Sequence, residues 1–205
     1  MGFEGKPEEI RAPAHQRIED GTMTEDYPLD RDRIIGVLNE ALLSEIVCVL
    51  RYQFHYQMAT SAHSEAITDE FQEHANEEQE HAGRLAARIK QLGGKPEMNP
   101  SSLAKVSHTE RKEGVSLADM IREDLIAEHI VIETYRKMAY FFGQKDPVSR
   151  LLMEEILADK ERRADEMADL LFAVEPETVE VSRLYFEDEI QGESDVANRS
   201  RLPQP

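Results

Sequence analysis

The chain of 205 residues has one cysteine and no tryptophan. A single thiol, Cys48, excludes an internal disulfide framework and a thiolate metal cluster; set in SEIVCVL beside an apolar stripe, it reads as a small core residue. Glycine and proline are few, ten and nine, and they gather near the ends and in one central stretch. Positive charge is scarce too: 24 Lys and Arg stand against 42 Asp and Glu, a formal net charge of -18. Phosphate-backbone binding needs clustered cations, so no nucleic-acid partner is expected. Long apolar runs are missing. The best one, IIGVLNEALLSEIVCVL, is broken by Asn39, Glu40 and Glu45, and the opening MGFEGKPEEIRAP has no apolar signal core. Neither membrane spanning nor export is expected, which leaves the cytoplasm as the expected location.

What is present favours long helices. Charged residues make up 32% of the chain, and Ala, Leu and Glu are common. Residues 1–29 mix Pro, Gly, Thr and charge without a period and read as a flexible arm. From Asp30 the pattern changes. Ile34, Leu38, Leu42, Glu45, Val49, Tyr52, Tyr56 and Ala59 advance by three or four, the spacing of one helix face. After SAHSE a second stripe runs through Ile67, Phe71, His74, Glu78, His81, Leu85, Ile89 and Leu92, and Gly93, Gly94 and Pro96 end it. A polar stretch to about Ser116 is long for a hairpin and suits a crossover along a bundle. A third stripe holds Leu117, Ile121, Leu125, Glu128, Val131, Ile132, Tyr135, Met138 and Phe142. After GQKDP a fourth holds Leu152, Ile156, Lys160, Arg163, Met167, Leu170 and Leu171. The expected fold is all-α: a four-helix bundle over residues 30–174 with a long crossover between helices two and three. An acidic tail over 175–205 follows, in which ETVEVSRLYFEDEI suggests a short fifth helix.

Each stripe carries charge at its middle, where burying an unpaired ion costs several kcal/mol or more. Residues equidistant from a hairpin turn share a level. The turn at Ser61–Ala62 sets Glu45 level with Glu78, and the turn at Gln144 sets Glu128 level with Lys160. Glu78 and His81, three apart, project from one face. Carboxylates converging with an imidazole suit Fe, Mn or Zn. His74, one turn from Glu78, reads as a hydrogen-bonded core histidine, and Tyr56, Tyr135 and Phe142 read as packing residues.

These segments, LNEALLSEIVCVLRYQFHYQ, EHANEEQEHAGRLAARIKQLGGKP, DLIAEHIVIETY and EEILADKERRADEM, resemble the ferritin-like superfamily and within it bacterioferritin, over about residues 30–174. The resemblance implies metal-ligand roles for Glu45 (terminal carboxylate), Glu78 (bridging carboxylate), His81 (imidazole) and Glu128 (helix-three carboxylate), with Tyr52 as a catalytic tyrosine near the metals. It implies iron ions as ligand, dioxygen or peroxide as oxidant, iron storage or detoxification by a ferroxidase-type reaction, and a homo-oligomeric shell. Three departures stand out. Lys160 and Arg163 occupy the places of a second Glu-x-x-His, Gln79 stands where the family's haem methionine follows the bridging Glu, and Glu73 replaces a pore-side histidine. Haem is therefore not expected. Iron is expected as one ion or an incomplete di-iron centre. The alternative is a structural or binding protein whose metal centre is replaced by a buried salt-bridge cluster, with Lys160 and Arg163 acting as tethered cations. A DNA-protecting relative fits less well, because the candidate ligands lie within one bundle and both tails lack basic runs.

Overall fold

The computed structural model describes residue 22 and residues 27–59, 65–106 and 116–175. Among these, four long helices, α1 (Arg31–Met58), α2 (Glu65–Gln91), α4 (Leu117–Phe142) and α5 (Pro147–Val174), accompany a short α3 (Pro100–Val106), and no strand forms. Most of the expected arm and the suggested fifth helix of the tail lie outside the described residues; the end of the arm is not free, since Tyr27 and Leu29 pack against the core and the Tyr27 hydroxyl accepts from Arg88 at 3.2 Å.

The ends of the helices follow local chemistry. Asp30 caps α1 by accepting from the Arg33 N–H at 2.9 Å. Helix α2 closes on Gly93 at φ 72°, with the Gly94 N–H reaching Ile89 O at 2.8 Å, an arrangement that satisfies the last carbonyls. Gly94 also lets Ile35 of α1 pack on the turn, where a Cβ would stand 2.8 Å from its side chain. Arg31 donates to Leu92 O at 3.1 Å and to Gly93 O, so the start of α1 is fastened to the end of α2. Ser116 and Asp119 form a capping box for α4, and Asp146 caps α5 ahead of Pro147.

Helices α1 and α2 form one antiparallel hairpin and α4 and α5 another; α1 meets α4 and α2 meets α5 across the bundle. The crossover runs back along α1, where Asn39 accepts from the Glu97 N–H at 2.7 Å and donates to Lys95 O at 3.3 Å. Helix α3 within it was not expected. Its signal is Asn99-Pro100, in which the Asn99 side chain accepts from the Ser101 N–H at 3.0 Å and proline takes the first helical position.

The apolar stripes pack as their spacing requires, but in two separate clusters. One gathers Ile34, Leu38, Leu42, Leu85, Ile89, Phe142, Met153 and Ile156; the other gathers Tyr52, Phe71, Ile121, Met167 and Leu171. Between them, along all four helices, lies the level of Glu45, Glu78, Glu128 and Lys160. The core is thus apolar at both ends and charged in its middle.

Candidate metal centre

Glu45, Glu78 and Lys160 are 0% exposed, Glu128 is 2%, Arg163 is 0% and His81 is 3%. The helices deliver all of them, with Tyr52, to one dry layer. Lys160 Nζ donates to both Glu78 oxygens, at 2.5 and 2.6 Å, and stands 3.1 Å from Glu45 Oε2. Arg163 Nη2 is 2.9 Å from Glu78 Oε1, an ionic contact without hydrogen-bond alignment, and its Nε is 3.6 Å from Glu128 Oε1. His81 Nδ1 faces Glu45 Oε2 at 3.1 Å and Glu78 Oε2 at 3.6 Å, while its Nε2 meets Asp159 at 3.1 Å.

The level matching of the hairpins holds, but the partners differ in one respect. Lys160 pairs with Glu78 and Glu45, on α2 and α1, while Glu128 takes Arg163 and the Tyr52 hydroxyl at 2.7 Å. The guanidinium lies between α2 and α4, with Glu78 at 2.9 Å on one side and Glu128 at 3.6 Å on the other.

The tyrosines show a reciprocity. Tyr52, seven after Glu45, donates to Glu128, and Tyr135, seven after Glu128, donates to Glu45 Oε1 at 2.7 Å. The residues preceding the paired Glu78 and Lys160 behave alike: Glu77 approaches Arg163 at 3.5 Å, and Asp159 approaches His81. The two hairpins are therefore related by an approximate two-fold axis through the charged layer. Tyr135, read from the sequence as packing, and Asp159, not singled out at all, belong to the site. The signal for both was the shared spacing. One pair breaks the relation: His55 and Asp124 form a buried contact at 2.8 Å, whereas the corresponding positions hold Met138 and Ala41.

Burial pushes the Glu45 carboxyl up, but Lys160 and the hydrogen bonds from its neighbours outweigh that and hold it well below the usual carboxylate range. Burial likewise opposes charge on Lys160, and the surrounding carboxylates Glu45, Glu78 and Glu128 raise it further above its ordinary value. For His81 desolvation favours the neutral ring, yet Glu45 and Glu78 prevail and push it up to about 9. At neutral pH it is an imidazolium. Three central carboxylates then face an ammonium, a guanidinium and an imidazolium and balance them, while Asp159 beside His81 and Glu77 beside Arg163 add negative charge at the rim.

Glu45, Glu78 and His81 present ligand atoms within 4.8 Å of one another, a group of the size a single cation takes; Glu128 lies outside it. The donors are nevertheless engaged. Lys160 occupies both oxygens of Glu78, and the His81 nitrogen nearest the carboxylates carries a proton. A di-iron centre needs carboxylate and neutral imidazole where Lys160 and Arg163 stand, so the residues present do not fit it.

An all-helical bundle of two hairpins joined by a crossover, with carboxylates from three helices at one level, defines the class of ferritin-type bundles. Residues 35–175 match the sequence profile of the ferritin-like domain. Curated relatives include a nutrient stress-induced DNA-binding protein from Nostoc sp. (strain PCC 7120), 33% identical over 154 residues, 71% of this chain and 84% of that protein. They also include bacterioferritin from Rhodobacter capsulatus, 25% identical over 134 residues, 65% of this chain and 79% of that one. Among solved structures, the dodecameric thioferritin of Bacteroides fragilis superposes with a TM-score of 0.66 at 25% identity, covering 78% of this chain and 92% of that one. The chain belongs to the ferritin-like family.

Proposed function

We propose that this chain is a ferritin-family subunit, assembling with copies of itself in the cytoplasm, whose central metal site has been replaced by an internally neutralised ion-pair cluster. It serves storage or binding rather than iron oxidation within the bundle. One observation carries this reading: Lys160 Nζ holds both oxygens of the carboxylate that would bridge two metals. Arg163 and the protonated His81 complete the balance without a metal ion. The net charge of -18 opposes attraction to nucleic-acid phosphates and supports storage over the DNA binding named for the Nostoc relative.

A second reading, iron oxidation at a single-ion centre of Glu45, Glu78 and His81, with Glu128 and Tyr52 beside it, is favoured by the three clustered ligand atoms and by the family's iron storage. It requires Lys160 to withdraw from Glu78 and His81 to lose its proton.

Anaerobic Fe(II) titration followed by oxygen uptake separates the two. Wild-type protein is expected to show no iron-dependent oxygen uptake traceable to the bundle centre. The double variant Lys160→Glu with Arg163→His restores the missing donors and is expected to gain iron binding and oxygen uptake. Oxygen uptake by wild type that is lost in Glu45→Gln contradicts the ion-pair reading. An unchanged double variant contradicts the assignment of residues 160 and 163 to a metal centre.

A further inference from the structure

One turn from Glu78 along α2, on the side facing α5, lies a different grouping. His74 is 1% exposed, and its Nε2 is 3.3 Å from Glu166 Oε2 and 3.8 Å from Glu70 Oε2; the three ligand atoms lie within 4.8 Å of one another. Two carboxylates are only part-buried, so the group has an inner imidazole wall and an outer mouth.

We propose that Glu70, His74 and Glu166 form a site for a divalent first-row transition-metal ion, separate from the bundle centre. His74 is the hydrogen-bonded core histidine the sequence suggests, through a long 3.3 Å contact with Glu166, and the same separations suit ligands of one ion. Donors about 2.1 Å from a tetrahedral ion stand roughly 3.4 Å from each other, between the two distances found. The buried imidazole turns one ring atom, Nε2, towards both carboxylates. The ring packs edge-on against Tyr52 at 5.1 Å, which fixes its position; the other nitrogen, Nδ1, has no hydrogen-bond partner among the described residues, so packing alone orients it. The carboxylates repel each other. Desolvation, then Glu166, Glu73 and Glu77, push the Glu70 carboxyl up, a strain that a bound cation relieves.

One group opposes the ion. Arg162 Nη1 holds both Glu166 oxygens, at 2.8 and 2.9 Å, while Nη2 holds Glu77. Arg162 is largely solvent-facing and keeps its hold on Glu77 when Glu166 turns towards a metal, so it sets affinity rather than blocking access. Nothing in this inference depends on whether the bundle centre holds metal.

The test is calorimetric titration of the assembled full-length protein with Zn2+ and with Co2+, the latter also read by its visible absorption. One saturable site per chain is expected. Affinity should fall at least tenfold in His74→Asn and in Glu166→Gln, and rise in Arg162→Gln. Because Glu70 and Glu166 are part-exposed, Glu70→Gln and Glu166→Gln keep the test independent of any folding defect in His74→Asn, with helical circular dichroism as the control. No binding, or binding indifferent to both Gln variants, overturns the proposal. Loss of the site in Glu45→Gln instead assigns the ion to the bundle centre and overturns it equally.

Discussion

Taking away the Lys160 ammonium would leave Glu45 and Glu78 facing each other in a fully buried layer. Breaking a buried ion pair from one side costs about 3–5 kcal/mol, most of it the penalty of the stranded charge. Lys160→Met is therefore expected to lower the urea midpoint by a corresponding amount, and adding Glu78→Gln to recover part of the loss. If the two substitutions simply add, the pairing is not energetically coupled. His81 gives a pH signature. Its folded-state value near 9 lies above the ordinary 6.5, so its stabilisation is complete below about pH 6.5 and disappears as pH rises through 9. The loss is on the order of 3 kcal/mol, and His81→Gln should flatten it in denaturation measured from pH 6 to 10. At this scale the sequence was most informative about charge on apolar stripes. Glu45, Glu78, His81, Glu128, Lys160 and Arg163 were all legible, because few causes place ions there. Which cation meets which carboxylate was not, since that depends on side-chain reach across the bundle, and Tyr135 was hidden by its equal fitness for packing.

Among the elements, the start of α5 shows how one polar residue joins two helices. Asp146 accepts from the Ser149 N–H as N-cap, and the same oxygen accepts from Arg88 of α2, at 2.9 Å in both cases. Arg88 is buried and also donates to the Ser149 hydroxyl at 2.9 Å. Asp146→Ala removes a cap and strands a buried guanidinium. Its cost should be about 3 kcal/mol or more, against about 1 kcal/mol for Ser116→Ala at the exposed cap of α4. Equal losses in thermal or urea unfolding would show that the Arg88 contact contributes nothing. The long helices were readable because their stripes run through seven or more turns, and two of them, α2 and α4, stop at glycines, Gly93 and Gly143. Helix α3 was not, because seven residues are too few to show a period, and only the Asn-Pro pair marks it.

For the molecule as a whole, the charged layer divides the core into two apolar blocks that touch through it. In the wider ferritin bundle this level holds metal; here the two-fold relation of the hairpins is kept, while Lys160 and Arg163 stand at two of the six positions where that pattern has carboxylate and imidazole. The ion pairs supply balancing charge within the layer, and the proposed outer group lies apart from it, with part-exposed Glu70 and Glu166 around the buried His74. The acidic surface repels phosphates and concentrates cations around that face. The architecture was legible from sequence because periodicity and hairpin symmetry are local rules repeated four times. The outer group was not, because Glu70 and Glu166 look like ordinary solvated helix positions until α2 and α5 are brought together.

The most direct measurement is anomalous diffraction at the iron absorption edge from crystals soaked anaerobically in Fe(II). The ion-pair account predicts no anomalous peak between Glu45, Glu78 and His81, with Lys160 still seated on Glu78. A peak there, with the Lys160 side chain turned away, would contradict it.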